Sequence, residues 1–143
     1  QFILSVGKRT DLAQLGAIPA NFIVRNFVPQ LEVLQRTDLF ITHGGMNSVH
    51  ESLWQGVPMI VIPQQAEQAF VAQQVVKHGA GIALGDKPPV GQVSAAELRA
   101  AVEEILGDLD AYRAATEPLR ASFVAAGGYR RAAEAFMAYG RQT

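Results

Sequence analysis

The sequence predicts an α/β fold, with a parallel sheet that has helices on both faces and a helical carboxy-terminal part. Two observations predict this fold. Between residues 2 and 85, short apolar runs alternate with segments of helical periodicity, which is typical of parallel sheets covered by helices. After residue 93 no further strand pattern occurs. We expect one domain over residues 1–143, a length that can bury a sizeable core.

The strands are predicted from short β-rich apolar runs that stop at glycine, proline or a polar residue. In chain order they cover residues 2–6, 21–27, 39–43, 58–63 and 81–85. The first run, FILSV, stops at Gly7 and predicts a buried strand. The second stops before Pro29, and the fourth lies between two prolines.

The helices are predicted from apolar residues at helical spacing and from stop signals such as glycine. In chain order they cover residues 11–16, 30–38, 47–55, 67–78, 95–106, 108–126 and 129–140. Leu31 and Leu34 are expected on one face of the second helix. Ser94 is expected to cap the fifth, with Glu97 at the third helical position completing a capping box.

The composition excludes several classes of protein. The chain has no Cys, and its three His residues do not form a zinc cluster. A formal net charge of −1 without a basic stripe argues against a nucleic-acid partner. No apolar run approaches the roughly 20 residues that span a bilayer, and the first residues show no signal-peptide pattern. We therefore expect a cytoplasmic protein with no metal and no cofactor.

The strand-to-helix junctions are the expected place for a ligand. Parallel sheets bind ligands at the carboxyl ends of their strands. Four junctions therefore become candidates, and each is expected to open on the same edge of the sheet. They lie at Gly7, Phe27–Gln30, His43–Ser48 and Pro63–Gln68.

The longest motif, FITHGGMNSVHESLWQGVPMIVIP, covers residues 40–63. Gly44 and Gly45 would let a ligand approach the backbone closely. The helix after them presents unpaired N–H groups and partial positive charge, which predicts an anion site, most naturally for phosphate. His43 can donate to a phosphate oxygen from the end of the strand.

Polar residues of the same helix extend this prediction. Asn47 and Ser48 can cap the helix or donate to the anion. Asn47 and Glu51 are four residues apart, so they share a face, with about 6 Å between them along the axis. A ribose next to the phosphate would then reach Glu51, whose carboxylate can accept from two adjacent hydroxyls.

Each signal also has an ordinary structural explanation. The motif can be simple helix capping beside a buried His43. Phe27 can be a core residue, with Pro29 only ending its strand, and Glu67 can be favoured at a helix start by the macrodipole. Asp108–Asp110, which looks like a metal-binding Asp-x-Asp, follows no strand and is interpreted as a helix cap.

His50 and Trp54 are four residues apart on a different face of the helix from Glu51. We predict that both pack against other parts of the chain and bind no ligand.

In this order, the stretches resemble the C-terminal half of nucleotide-sugar-dependent glycosyltransferases of the GT-B fold, a Rossmann-like α/β fold. The similarity is greatest to bacterial macrolide and antibiotic glycosyltransferases, which are related to UDP-glycosyltransferases. It covers nearly the whole chain and is carried by FVPQLEVL, the long motif, GAGIAL and GGYRRAAEAF. QFILSVG matches the family's second strand, so its first strand and helix are expected to be missing. The chain is then a partial donor-binding domain.

The resemblance implies a role for each matching residue. Phe27 stands where many relatives have a Trp stacked on uracil, Val28 offers backbone contacts to the base, and Gln30 reaches the base or ribose. The remaining implied contacts are those of the diphosphate with His43, Gly45, Asn47 and Ser48, of the ribose with Glu51, and of the transferred sugar with Glu67 and Gln68. Many relatives have Asp-Gln at the last two positions.

The resemblance further implies an inverting, metal-independent transfer of a hexose from a UDP-sugar or TDP-sugar to a hydroxyl of a small acceptor such as a macrolide. The catalytic base and the acceptor site are expected on a missing N-terminal domain, so this chain alone is expected to be inactive. Exposed sheet edges are expected to favour self-association. Two alternatives remain: a non-catalytic subunit of a split glycosyltransferase, and a protein similar to UDP-N-acetylglucosamine epimerases.

Overall fold

Parallel strands and helices alternate along the chain, which confirms the predicted fold class. The structure is a computed structural model that describes residues 1–87 and 91–140. It divides into two units, Gln1–Arg36 and Thr37–Thr143. The sequence DKPPVGQ, residues 86–92, also predicts a loop rich in proline and glycine, and residues 88–90 of it lie outside the described residues.

The strands are β1 (Phe2–Ser5), β2 (Phe22–Arg25), β3 (Phe40–Thr42), β4 (Met59–Val61) and β5 (Gly81–Ala83). The helices are α1 (Gln30–Leu34), α2 (Met46–Trp54), α3 (Ala66–Lys77), α4 (Ala95–Gly107), α5 (Leu109–Ala125) and α6 (Gly128–Gly140), and a short 3₁₀ helix covers Leu12–Leu15. Most bounds agree with the prediction to within two or three residues. The exception is α1, which ends at Leu34 and not at residue 38. Leu34 is buried there, whereas Leu31 is 51% exposed.

The first unit contains a sheet of two parallel strands. β1 pairs with β2 so that Phe2 lies opposite Phe22, and their rings stack with centroids 4.7 Å apart. All four residues of β1 are exposed, so the prediction of a buried strand was wrong. An apolar run indicates that burying the strand would be favourable, but a strand is buried only where other strands or helices cover it. Among the described residues β1 pairs with β2 alone. The sequence predicts a single sheet, whereas the described strands form two sheets.

The second unit contains the parallel sheet β3-β4-β5 and the main core. All three residues of β4 are fully buried. Met59 and Val61 face one apolar cluster with residues of α2 and α3, whereas Ile60 faces a second cluster with Ala101 and Ile105 of α4. Alternate residues of a strand point to opposite faces. Helices therefore cover both faces of this sheet, as predicted.

The carboxy-terminal part is helical. Ser94 and Glu97 form the predicted capping box at the start of α4. α5 continues through Pro118, and α6 has no buried residue. In the described part of the chain, no helix is both long and apolar enough to cross a bilayer.

Candidate functional site

The ends of paired strands lie on a common edge within each sheet. Thr42 of β3 lies opposite Val61 of β4 in a parallel register, so the chain leaves both strands at one edge. Ser5 and Arg25 are paired in the same way in the first unit. The prediction of a shared edge is confirmed within each sheet.

The helix that follows β3 begins without a side-chain cap. Gly45 is the N-cap residue of α2 and, being a glycine, makes no side-chain cap hydrogen bond, and the first turn contains no acidic residue. Asn47 and Ser48 are the second and third residues of the helix, so of the two roles expected for them, the alternative that they cap it is wrong. The start of α2 carries the partial positive charge of the helix macrodipole, which favours an anion there.

The two glycines of the motif serve the fold itself. Gly44 is buried and has φ +85°, a conformation that other residues rarely adopt. A Cβ at Gly44 would lie 2.6 Å from Val61 Cγ1, so the missing side chain makes room for β4. Its N–H donates to Thr42 Oγ1 at 3.3 Å. The close approach expected from a ligand is thus made at Gly44 by the protein itself.

His43 lies over the start of α2. A Cβ at Gly45 would lie 2.6 Å from His43 Nε2. His43 is exposed, so the alternative of a buried core histidine is wrong. In residues 1–87 and 91–140, neither His43 nor Asn47 uses its side chain in a hydrogen bond within the protein. Both side chains can therefore donate to an anion at the helix end.

The start of α3 lies beside the glycine pair. A Cβ at Gly44 would be 3.5 Å from the backbone oxygen of Gln68, and the N-cap of α3, Gln65, makes no side-chain cap hydrogen bond. Gln68 Oε1 accepts a hydrogen bond of 2.8 Å from the backbone N–H of Gln64. That bond fixes the side chain of Gln68 next to exposed Glu67. Two uncapped helix starts therefore meet at one edge of the second sheet.

Glu51 lies one turn beyond Asn47 along α2. Asn47 is exposed, and Ser48 and Glu51 are half-buried. The helical spacing places Asn47 and Glu51 on one face, as expected. We call the set His43, Gly45, Asn47, Ser48, Glu51, Glu67 and Gln68 the cradle.

The remaining predicted site residues belong to the first unit. Phe27 follows β2 and is 67% exposed, so the alternative of a core phenylalanine is wrong. Val28 is half-buried, and Gln30 is the half-buried first residue of α1. Two further residues, Lys8 and Asn26, were not singled out from the sequence. Lys8 Nζ lies over the Phe27 ring, and Asn26, the residue before Phe27, donates a hydrogen bond to the backbone oxygen of Gly7 after β1. Only the pairing of β1 with β2 reveals them.

The sequence predicts no ligand contact for His50, Trp54 and Asp108. His50 packs edge-on against Phe123, with ring centroids 5.0 Å apart, as predicted. Trp54, predicted to pack, is 47% exposed. Asp108 occupies the N-cap position of α5 but makes no side-chain cap hydrogen bond. Within the part of the chain that the structure describes, no group of three His, Cys, Asp or Glu residues could hold a metal ion.

A parallel α/β fold with two helix starts at one sheet edge is an arrangement in which nucleotides and phosphates are commonly bound. The family follows from comparison. Residues 2–134 match the family described as "Erythromycin biosynthesis protein CIII-like, C-terminal domain", and the chain belongs to this family.

Known proteins with similar sequences and structures are glycosyltransferases. The chain is 44% identical over 140 residues to "NDP-glycosyltransferase YjiC" of Bacillus subtilis (strain 168), covering 96% of this chain and 34% of that protein. It superimposes on the glycosyltransferase of kitacinnamycin with a TM-score of 0.84 and 39% identity, covering 94% of this chain and 34% of that one. The calicheamicin glycosyltransferase CalG4 gives a TM-score of 0.85 and 31% identity, covering 99% of this chain and 36% of that one. The chain thus spans about a third of each.

Proposed function

We propose that this chain is the donor-binding part of a glycosyltransferase that transfers a hexose from a UDP-sugar or TDP-sugar to a hydroxyl of a small acceptor such as a macrolide. The observation that carries the proposal is the uncapped start of α2 beneath His43. Membership of a family named after an erythromycin biosynthesis protein supports it. The reaction is proposed to take place in the cytoplasm.

The cradle has the chemistry to hold the leaving group. When the acceptor oxygen attacks the anomeric carbon, the bond from that carbon to the diphosphate breaks and negative charge grows on the diphosphate. The N–H groups at the start of α2, with donors from His43, Asn47 and Ser48, are proposed to stabilise that charge without a metal ion. Attack on the face opposite the leaving group inverts the anomeric centre. The base that accepts the hydroxyl proton is proposed to lie outside residues 1–143.

The other cradle residues are proposed to contact the sugars. Glu51, one turn along α2, accepts from the two ribose hydroxyls. Glu67 and Gln68 hold the transferred hexose, and the bond from Gln64 to Gln68 Oε1 leaves the amide NH₂ of Gln68 to donate. In the first unit, Phe27 stacks on the base, while Val28 and Gln30 contact its edge or the ribose.

The test separates the ribose from the diphosphate. Glu51→Ala should weaken UDP binding by roughly 1.5–3 kcal/mol, or about 10- to 150-fold, because two hydroxyls lose a charged acceptor. It should leave inorganic pyrophosphate binding unchanged, since pyrophosphate has no ribose. His43→Ala should weaken both ligands. Calorimetric titration of the two variants of the 143-residue chain, each with UDP and with pyrophosphate, measures these affinities against those of the unchanged chain.

Matched controls exist in the same unit. Glu103 is exposed on α4, and His78 is exposed at the end of α3. Glu103→Ala and His78→Ala should leave the binding of both ligands unchanged. If Glu51→Ala weakened pyrophosphate as much as UDP, Glu51 would be a structural residue of α2 and the ribose assignment would be wrong.

We also propose that two copies of the chain associate through β1. Its apolar residues Phe2, Ile3 and Leu4 are 40%, 49% and 43% exposed, and among the described residues β1 is bonded to β2 alone. Edge strands with unpaired backbone groups and apolar side chains readily pair with another strand.

A further inference from the structure

The turn after β1 is attached to the residue before Phe27. Asn26 Nδ2 donates to the backbone oxygens of Gly7, at 3.0 Å, and Thr10, at 2.6 Å. The turn is also closed internally, because the N–H of Thr10 donates to the oxygen of Gly7 at 3.2 Å and its hydroxyl donates to the oxygen of Val6 at 2.6 Å. Two strand ends of the first unit are therefore joined by one amide side chain.

Lys8 lies on this turn and reaches the ring of Phe27. Its Nζ atom is above the ring, 5.9 Å from the centroid. A lysine ammonium within about 6 Å of an aromatic face is attracted by the ring quadrupole. The rest of Phe27 is open, with 67% of the residue exposed. The ammonium thus lies over one face of a ring that is largely exposed.

We propose that Lys8 and Asn26 are positioning residues for the nucleobase of the donor. Asn26 holds the turn in place, and Lys8 restrains the Phe27 ring so that a pyrimidine base stacks on the face opposite the ammonium. This inference rests on the proposed function, which assigns Phe27 to the base. An exposed aromatic ring would otherwise have to be ordered when the ligand binds, and restraining it beforehand reduces that cost.

The competing explanation is that Lys8 attracts the diphosphate as a general positive charge. Arg9 allows the two explanations to be separated, because it is the next residue of the same turn, is exposed and carries the same charge. A general charge effect would appear equally at both positions and would weaken pyrophosphate. An effect through the ring would appear at Lys8 and would depend on Phe27.

The experiment is a double-mutant cycle of Lys8→Met and Phe27→Leu, read by calorimetric titration of the 143-residue chain with UDP and with inorganic pyrophosphate. Beyond the effect of the Arg9→Met control, Lys8→Met should weaken UDP about two- to fivefold, the size expected for an exposed cation–π contact. In a chain that already carries Phe27→Leu, Lys8→Met should weaken UDP binding no further. Lys8→Arg should keep the UDP affinity of the unchanged chain, because a guanidinium also binds ring faces.

The outcomes distinguish this inference from the proposed function. If Phe27→Leu did not weaken UDP, the base site itself would be misplaced and both proposals would fall. If Phe27→Leu weakened UDP but Lys8→Met matched Arg9→Met, or acted equally in both Phe27 backgrounds, only the positioning role would be overturned.

Asn26 provides a second, independent measurement. Asn26→Leu keeps the shape of the side chain but removes both donors, so it should weaken UDP at least as much as Lys8→Met and leave pyrophosphate unchanged. Asn21→Leu, at an exposed position just before β2, is the matched control. Thermal unfolding of both variants shows whether the fold is kept. A folded Asn26→Leu chain with unchanged UDP affinity would contradict the role of Asn26.

Discussion

The imidazole of His43 occupies the space that a side chain at Gly45 would need. A Cβ at Gly45 would approach His43 Nε2 to 2.6 Å and Cε1 to 3.2 Å, whereas the backbone of Gly45, with φ −61° and ψ 135°, suits any residue. The absence of a side chain at Gly45 therefore makes room for His43 at the start of α2, and the backbone conformation there does not require a glycine.

Gly45→Ala should consequently displace His43 while the fold remains intact. We expect weaker binding of both UDP and inorganic pyrophosphate, in the same direction as His43→Ala, and an unfolding temperature close to that of the unchanged chain. Calorimetric titration and thermal unfolding measure the two properties. Gly107→Ala is the control, because a Cβ there would meet no atom within 4 Å. Unchanged pyrophosphate binding in folded Gly45→Ala would show that His43 does not contact the diphosphate.

The capping box of α4 should make stability depend on pH. Hydrogen bonds from the Ser94 hydroxyl and then from its backbone N–H lower the pKa of Glu97 below its ordinary value of 4.5. Because the folded pKa is lowered, this stabilisation is present above about 4.5 and is lost as the pH falls through the folded value. Glu97→Ala should therefore lower the unfolding temperature near neutral pH and have progressively less effect in acid.

Glu103→Ala, on an exposed position of the same helix, controls for the general effect of removing a carboxylate. Thermal unfolding of the two variants over a pH series gives the comparison. An equal loss of stability from Glu97→Ala at every pH would mean that ionisation of the carboxylate has no part in the cap.

The chain alone should not transfer sugar. Its three histidines have other placements: His43 lies over the helix start, His50 packs on Phe123, and His78 ends α3. Mass spectrometry of a macrolide incubated with UDP-glucose and the 143-residue chain should show no glycosylated product. Product formation at a rate near that of a full-length relative would refute this and would place the base within the chain.

Association through β1 should be sensitive to charge. Ile3 is 49% exposed in the middle of β1, and Ile3→Lys should shift the chain from dimer towards monomer, as measured by light scattering after size-exclusion chromatography. Ile18 is 44% exposed outside any strand or helix, so Ile18→Lys adds the same charge as a control. A chain that is monomeric at all concentrations before any substitution would exclude the proposed dimer.

Local sequence patterns predicted where helices and strands lie better than they predicted which of them are buried. The capping box at Ser94 and the positions of α2 and α3 were predictable because they depend on residues within one or two turns of each other. The exposure of β1 was not, because the run FILSV has the same composition whether or not another layer covers it. The helix cap at Gly45 was missed because Asn and Ser are strong capping residues, and their preference could not show that the helix already begins at Met46.

The sequence by itself determined the alternation of strands and helices, the strand-end positions of the candidate site residues and the likeness to the glycosyltransferase family. Each depends on the order and type of residues close together in the chain. The tertiary structure alone decided that Gly44 makes room for Val61, that His43 lies over α2 and that Lys8 lies above Phe27. Contacts of this kind depend on which strands pair and in which register, and local residue patterns do not specify that pairing.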